Sequence, residues 1–249
     1  MGSGSLIRVI PTELCGAAKW TERSGLSSFL PPMEVIQPKW SPDAKQIAFG
    51  GSVPGKPKHI YIVSADGGAP KEVTKGERDE NFPNWSQDGT SLFFSNGSTD
   101  VAGGPPKAIY QLNLNTGQIT TVPGSEGKWF SRISPDDKYI AAYSPANHLM
   151  LFDMKSQEWS ELTQTTADYP AWSHDGKYLY FSSSDGGEPA YYRVQIKDHK
   201  LERVASLRDV KRPTSRSFGD WTGLAPDDSL LALRDISTYE IYALDLKLP

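Results

Sequence analysis

A short turn motif occurs five times along this chain, and it constrains the fold more than any other feature of the sequence. Its clearest copy is Trp40-Ser41-Pro42-Asp43. The related copies are Trp85-Ser86-Gln87-Asp88, Ile133-Ser134-Pro135-Asp136, Trp172-Ser173-His174-Asp175 and Leu224-Ala225-Pro226-Asp227. Their first residues are 45, 48, 39 and 52 positions apart. Periods of about 20 to 50 residues are typical of repeat architectures.

Apolar residues follow each copy of the motif at fixed distances. The fourth residue after the motif aspartate is apolar in every repeat, at Ile47, Leu92, Ile140, Leu179 and Leu231. A second apolar pair comes later in each repeat, at Ile60-Tyr61, Ile109-Tyr110, Leu149-Met150, Tyr191-Tyr192 and Ile241-Tyr242. Alternating apolar runs separated by Pro, Asp and Gly turns predict about four short strands per repeat.

A single sheet of this size would leave both of its faces in water, so we expect the five sheets to pack face to face. A β-propeller satisfies this requirement and hides most strand edges. The sequence therefore predicts an all-β fold, a β-propeller with five complete four-stranded repeats. An open β-solenoid is the rival architecture, but its repeats are shorter than these.

The two ends of the chain bear on how the ring closes. The last repeat stops after its third strand, and Leu6 to Pro11 resembles a fourth strand, so we predict that it pairs beside Tyr239 to Leu244. Two alternatives remain for residues 12–33. Strands at Cys15 to Trp20 and Gly25 to Leu30 would form an N-terminal part-blade and give six positions, whereas a short helix would leave a five-bladed ring.

The Trp-Ser-Pro-Asp turn, the Ile-Ala-Phe strand after it, the Ile-Tyr strand and the turn Ala65-Asp66-Gly67-Gly68 together resemble the repeat of TolB-type β-propellers. The resemblance covers residues 34–249. It implies a six-bladed ring that serves as a scaffold for recognition, since one fold hosts many functions. The last repeat, from Gly223 to Asp245, also resembles the terminal blade of propellers that follow a winged-helix domain in bacterial regulators. No winged-helix pattern occurs in this chain.

Composition excludes several classes of function. With 26 Lys and Arg against 30 Asp and Glu the net charge is −4, which argues against a nucleic-acid partner because phosphate contacts need clustered positive charge. No run of 18 apolar residues exists, so no membrane span is expected. We interpret residues 1–5 as a leader added for expression and residues 6–249 as one propeller domain, expected to be monomeric. The resemblance favours a periplasmic or extracytoplasmic location over a cytoplasmic one.

Catalytic and metal-binding motifs are missing from the sequence. No Gly-x-Ser-x-Gly elbow occurs, and the single cysteine, Cys15, has no partner for a disulfide or a metal cluster. The histidines are scattered singly over different repeats, at 59, 148, 174 and 199. The motif aspartates recur once per repeat, so we expect them to cap their own turns rather than to bind calcium. We predict no cofactor and no metal.

Binding residues are expected at the mouth of the central channel, where the loops from the fourth strand of one sheet to the first strand of the next converge. These loops combine aromatic and charged residues, which suits recognition of a polar ligand or a protein segment. The predicted site residues are Arg78, Glu80, Phe82, Lys128, Trp129, Asp168, Tyr169, Arg212 and Arg216. The alternative interpretation of Phe82 and Tyr169, which both precede a proline, is that they only wedge adjacent blades.

We therefore expect a non-catalytic domain that binds a protein segment or a small polar ligand, as the sensory or interaction part of a bacterial regulator. The alternative is an enzyme, a hydrolase or a lyase, with its site at the channel mouth. That alternative needs the side chains of Asp168, Arg216, Glu80 and Lys128 to converge.

Overall fold

The computed structural model describes residues 8–11, 33–96, 107–212 and 220–235, with the backbone alone for 8–11. All regular structure within these ranges is β-strand. The first strand, β1, is Arg8–Pro11. Blade 1 contains β2 (Glu34–Trp40), β3 (Gln46–Ser52), β4 (His59–Ser64) and β5 (Lys71–Glu72). Blade 2 contains β6 (Glu80–Trp85), β7 (Ser91–Asn96), β8 (Ile109–Asn113) and β9 (Ile119–Thr121).

The next two blades repeat this pattern. Blade 3 contains β10 (Trp129–Ile133), β11 (Tyr139–Tyr143), β12 (His148–Asp153) and β13 (Glu158–Thr166). Blade 4 contains β14 (Asp168–Trp172), β15 (Tyr178–Ser183), β16 (Ala190–Gln195) and β17 (Leu201–Ser206). Each of the four blades is an antiparallel meander, with strands paired in sequence order. The propeller prediction is confirmed.

The fifth repeat departs from the predicted complete blade. Its described part forms β18 (Thr222–Leu224) and β19 (Leu230–Arg234), and β1 completes a three-stranded sheet in the order β1-β19-β18. The described residues therefore contain four complete blades rather than five or six. The two strands predicted for the part-blade within residues 12–33, at Cys15 to Trp20 and Gly25 to Leu30, lie outside the described residues, as does the last predicted strand of the fifth repeat.

The predicted position of the closing strand, as the fourth strand of its sheet, was also wrong. Arg8 was expected beside Tyr239 to Leu244, as a fourth strand. Instead β1 pairs directly with β19, in parallel, with Arg8 opposite Leu231. The place of the predicted third strand is thus taken by β1. A parallel strand can satisfy the open edge of β19 just as an antiparallel one does, so the hydrophobic pattern alone did not fix its partner. Residues 239–244 lie outside the described residues.

The motif turn is built by side chains that bond to their own backbone. In blade 1 the Ser41 hydroxyl donates to Asp43 Oδ1 at 2.7 Å and accepts from the Gln46 amide at 2.9 Å. The Lys45 amide donates to the same carboxylate at 3.1 Å. Equivalent Ser–Asp bonds of 2.6–2.8 Å occur at residues 86/88, 134/136 and 173/175. The predicted capping role of the motif aspartates is confirmed in these turns.

Neighbouring turns touch each other in two alternating ways. Pro42 of blade 1 lies against Gly89 of blade 2, and Pro135 of blade 3 lies in the same way against Gly176 of blade 4. In blades 2 and 4 another residue occupies the position of the proline, and its backbone N–H donates a hydrogen bond to the next turn. The Gln87 amide donates to both carboxylate oxygens of Asp137 at 2.8 and 2.9 Å, and the His174 amide donates to Asp228 at 2.8 Å. Gly89, Asp137, Gly176 and Asp228 all have φ between 55° and 69°, which glycine and aspartate tolerate well.

The energetic equivalence of these two types of contact can be tested by converting one type into the other. We expect Asp137→Gly alone to cost about 1 kcal/mol, because the Gln87 amide loses its acceptor. Gln87→Pro alone is expected to cost a similar amount, because it leaves the Asp137 carboxylate unpaired. The double variant recreates the Pro–Gly contact of blades 1 and 2, so its free energy of unfolding in urea should return to within about 0.5 kcal/mol of the wild type. Additive losses in the double variant would contradict the exchange.

Tryptophan indoles join neighbouring blades at the motif's first position. Trp85 Nε1 of blade 2 donates to the Lys39 carbonyl of blade 1, and Trp172 Nε1 of blade 4 donates to the Arg132 carbonyl of blade 3, both at 3.0 Å. Trp85 is 9% exposed, whereas Trp40, at the same position in blade 1, is 55% exposed. The core lies between the blades, where Phe94, Phe181 and Leu149 are fully buried.

Candidate functional site

A β-bulge interrupts the first strand of each complete blade, three residues before the motif. The residue at the bulge has a positive φ in all four: 52° at Gln37, 61° at Phe82, 57° at Phe130 and 52° at Tyr169. The pairing register with the second strand shifts at the same place. Bulges of this kind re-aim side chains, and a bulky residue with positive φ stores backbone strain. The first strands of consecutive sheets contact one another, as the innermost strands around the central channel of a propeller do.

Two of the bulge residues belong to an aromatic group, which we define as Phe82, Trp129, Phe130 and Tyr143. Phe82 lies 4.8 Å from Phe130 and 5.7 Å from Trp129, measured between ring centroids. Tyr143 stacks on Phe130 at 5.2 Å. Phe82 comes from blade 2 and the other three from blade 3, so Phe82 does wedge the two blades. The same rings present faces to cations: the Arg132 guanidinium lies 4.0 Å from the Phe130 centroid.

The residue just before the motif forms a second set, which the sequence prediction missed. We call Lys39, Asn84 and Arg132 the channel triad, since they occupy this position in blades 1, 2 and 3. Arg132 donates to the carbonyls of Ser131 at 3.2 Å and Pro170 at 3.3 Å, and to Asn84 Oδ1 at 3.5 Å. Asn84 in turn donates to the Ser131 carbonyl at 2.6 Å. Through Asn84 and Arg132 the triad therefore links three first strands, β6, β10 and β14.

The charge of Arg132 affects the other cation of the channel triad, Lys39. The positive charge of Arg132, together with burial, lowers the pKa of Lys39 to about 7. Burial lowers the pKa of Arg132 to about 10. Burial also raises the pKa of the neighbouring Tyr143, so its phenol stays neutral. Among the described residues no carboxylate forms an ion pair with either cation.

Three predicted site residues meet between blade 4 and the fifth sheet. The Tyr169 hydroxyl donates to Asp220 Oδ1 at 3.3 Å, and Arg212 pairs with Asp220 Oδ2 at 3.4 Å. Burial and the charge of Asp220 raise the pKa of Asp168. Burial, followed by the charge of Asp220, raises the pKa of Tyr169 to about 12. Asp220, which the sequence prediction missed, is thus the centre of this group.

Two further predicted residues, Arg78 and Glu80, line a separate cleft of about 330 Å³ beside blade 2. Glu80 is 8% exposed, whereas Arg78 lies at the exposed rim. Lys128 is placed apart from both groups: its Nζ donates to the Gly124 carbonyl at 2.8 Å and lies over the Trp159 ring. Arg216 lies outside the described residues.

The predicted set is therefore divided among several places rather than gathered at one. Glu80, Lys128 and Asp168 have no bonding partner in common, so the convergence that the enzyme alternative needs is not found for these three. Among the described residues no group of three or more His, Cys, Asp or Glu is arranged to hold a metal ion. In the same ranges no helix is long and apolar enough to cross a membrane.

Comparison with known proteins agrees with this architecture. Among curated proteins, the chain is 30% identical over 182 residues to the uncharacterised peptidase YuxL of Bacillus subtilis, covering 72% of this chain and 25% of that protein. It is 24% identical over 185 residues to the uncharacterised protein Atu1656 of Agrobacterium fabrum, covering 73% of this chain and 44% of that protein. This chain thus spans less than half the length of these relatives.

Solved structures show the same fold. A TolB-type protein of Agrobacterium tumefaciens superposes with a TM-score of 0.58 at 25% identity, over 79% of this chain and 68% of that one. TolB of Acinetobacter baumannii gives 0.55 at 16% identity, over 93% of this chain and 69% of that one. Residues 21–170 match the family described as the TolB beta propeller domain. The chain belongs to the TolB β-propeller family.

Proposed function

We propose that this propeller is a binding domain whose central channel accepts an anionic group carried by a protein segment. The observation that supports the proposal is the channel triad, in which Lys39 and Arg132 carry two positive charges below about pH 7 with no acidic partner among the described residues. Two cations that are removed from water repel each other and lose their hydration. A carboxylate between them would offset both costs, and a guanidinium binds a carboxylate with paired hydrogen bonds.

The surroundings of the triad suit a polypeptide ligand. Asn84 contributes a side-chain amide from the blade that lies between those of Lys39 and Arg132 in the chain, and the partly buried rings of Phe82 and Trp129 supply apolar area. Hydrogen bonds to backbone carbonyls hold the side chains of Asn84 and Arg132 in place before a ligand arrives, which lowers the entropy lost on binding. Membership in the TolB family favours a protein partner over a metabolite. A role inside a winged-helix regulator stays a prediction, which these relatives do not address.

The test uses two capped peptides that differ in charge alone, Ac-Gly-Glu-Gly-Glu-Gly-NH2 and its glutamine counterpart, in isothermal titration calorimetry at pH 6. We expect the glutamate peptide to bind at least tenfold more tightly. Lys39→Met should weaken that binding at least fivefold, whereas Lys155→Gln, in an exposed turn of blade 3, should leave it unchanged. Because Lys39 loses its proton near pH 7, the affinity should fall between pH 6 and pH 8 in the wild type and stay constant in Lys39→Met.

Equal binding of the two peptides would contradict the proposal. So would an affinity of Lys39→Met that matches the wild type at pH 6. Either result would mean that the channel triad serves packing and not recognition.

A second candidate function is that the propeller accompanies a catalytic unit which this chain does not contain. The observation in its favour is that the chain spans a quarter of YuxL, a peptidase by name, and a third of a puromycin hydrolase with the same fold at a TM-score of 0.55. In that case the propeller would hold or admit substrate and the chain alone would be inactive. Turnover of aminoacyl p-nitroanilides by this chain alone would exclude both candidates and favour a catalytic site within the propeller.

A further inference from the structure

The cleft beside blade 2 contains two buried polar atoms that have no hydrogen-bond partner. They are Glu80 Oε2 and Asn96 Nδ2. Glu80 is 8% exposed and Asn96 is 4% exposed, and both side chains line the cleft. Buried polar groups are nearly always paired, so two unpaired atoms at one cleft call for an explanation.

The rest of each side chain is held firmly. The Thr74 hydroxyl and the Gly76 amide bond the Glu80 carboxylate, and a Cβ on Gly76 would come within 2.7 Å of Glu80 Oε1. The Oε1 atom of Glu80 thus faces the backbone, and the Oε2 atom has no hydrogen-bond partner. Asn96 Oδ1 accepts from the Ala108 amide at 2.7 Å, which fixes the orientation of the side-chain amide and leaves its NH2 group unpaired.

Strand pairing puts the two unpaired atoms side by side. Glu80 and Asn96 are direct partners in the antiparallel pairing of β6 with β7, and residues directly opposite each other point to the same face of a sheet. The cleft therefore presents one acceptor and one donor from paired residues of neighbouring strands, and these two atoms are not bonded to one another. One part of its wall is apolar, formed by Phe94, the Tyr110 ring stacked on it at 5.6 Å, and Ile119, whereas Glu77 and Arg78 line its exposed rim.

From this geometry we infer that the cleft is a second binding site, separate from the channel triad, for an amide-bearing ligand such as a short extended peptide. One residue of an extended chain offers an N–H and a C=O on the same edge, and these match Glu80 Oε2 and Asn96 Nδ2. Its side chain would pack on Tyr110 and Ile119. Burial raises the pKa of Glu80, which agrees with a carboxylate that gains from a bound donor.

Two isosteric changes reverse the polarity of the cleft without changing its shape. Glu80→Gln keeps an oxygen on Gly76 and replaces the acceptor Oε2 by an NH2 group. Asn96→Asp keeps the oxygen that bonds Ala108 and replaces the donor Nδ2 by an oxygen. Glu158→Gln, at an exposed position of blade 3, is the matched control for charge.

The experiment is a titration of ¹⁵N-labelled protein with N-acetyl-leucine-methylamide, followed through the Asn96 side-chain NH2 resonances in two-dimensional NMR. Absence of these resonances in Asn96→Asp assigns them. We expect them to shift in the wild type, in Glu158→Gln and in Lys39→Met, and the apparent dissociation constant to rise at least tenfold in Glu80→Gln. The survival of the shift in Lys39→Met would separate this site from the one proposed in the channel. The remaining amide resonances report whether each variant is folded.

Three results would overturn the inference. One is an unchanged Asn96 NH2 resonance at 20 mM peptide, a concentration on the order of those at which the weakest specific ligands bind. The second is an equal shift in Glu80→Gln, and the third is a shift with methyl α-glucoside in place of the peptide, which would assign the cleft to a sugar.

Discussion

Replacing Lys39 by methionine is expected to stabilise the protein by on the order of 3 kcal/mol at pH 6, an unusually large gain for one substitution. In the folded protein the Lys39 ammonium faces Arg132 with its water partly removed, and its pKa falls from 10.5 to about 7. The ammonium is therefore destabilised by folding, whereas methionine fills a similar volume without charge. The expected gain is smaller than the free energy that corresponds to the full pKa shift, because Lys39 is only partly buried.

The lowered pKa of Lys39 also predicts how the stability of the wild type depends on pH. Between about pH 7 and pH 10.5 the unfolded chain keeps a proton on Lys39 that the folded protein has lost. Stability of the wild type therefore rises with pH across this window, and the penalty is fully present below it. Lys39→Met should lack this rise. Urea unfolding at pH 6, 7, 9 and 10 measures both effects, with Lys155→Met as the control. If Lys39→Met were no more stable than the wild type at pH 6, the predicted destabilisation by the Lys39 charge would be refuted.

The second large effect concerns two tryptophans at one repeat position. Trp85→Ala is expected to cost about 3–5 kcal/mol, because the indole is buried among Ala48, Ile60 and Leu92 and donates to the Lys39 carbonyl. Trp40→Ala is expected to cost less than about 1 kcal/mol, because more than half of that side chain is in water. The repeat motif alone would predict equal losses.

Both substitutions are compared by urea unfolding at pH 7. Trp85→Phe separates the two parts of the loss, since it keeps most of the packing and removes the N–H; about 1–2 kcal/mol is expected for it. A loss for Trp40→Ala equal to that for Trp85→Ala would mean that Trp40 is covered in solution.

Local chemistry made most of the fold predictable. Each strand after the motif, such as Gln46–Ser52, follows from apolar alternation, and each Ser–Asp turn follows from a side chain that bonds its neighbours. The partner of Arg8–Pro11 depends on which strand edge is open in the assembled sheet, and no pattern within that segment carries this information. Its predicted position as the fourth strand was wrong for that reason.

The candidate site was predictable only in part. Aromatic and charged residues in the connecting loops indicated Phe82, Trp129 and Tyr169, which do contact neighbouring blades. Lys39 and Arg132 were missed because they sit within strands, where a charged residue suggests a solvent-facing side. Aligning the position before the motif would have found them, since it contains Lys, Asn and Arg in three successive repeats.

The alternation of turn contacts determines which pieces of this ring can be exchanged. Pro42 now contacts Gly89 of blade 2, and Asp137 of blade 3 accepts from the Gln87 amide of blade 2. Loss of blade 2 alone would therefore place Pro42 next to Asp137, and proline has no N–H to donate to that carboxylate. Loss of blades 2 and 3 together would instead set Pro42 against Gly176, which already accommodates a proline. Two adjacent sheets, and not one, are therefore the unit by which a gene for this ring can grow or shrink without breaking a turn contact.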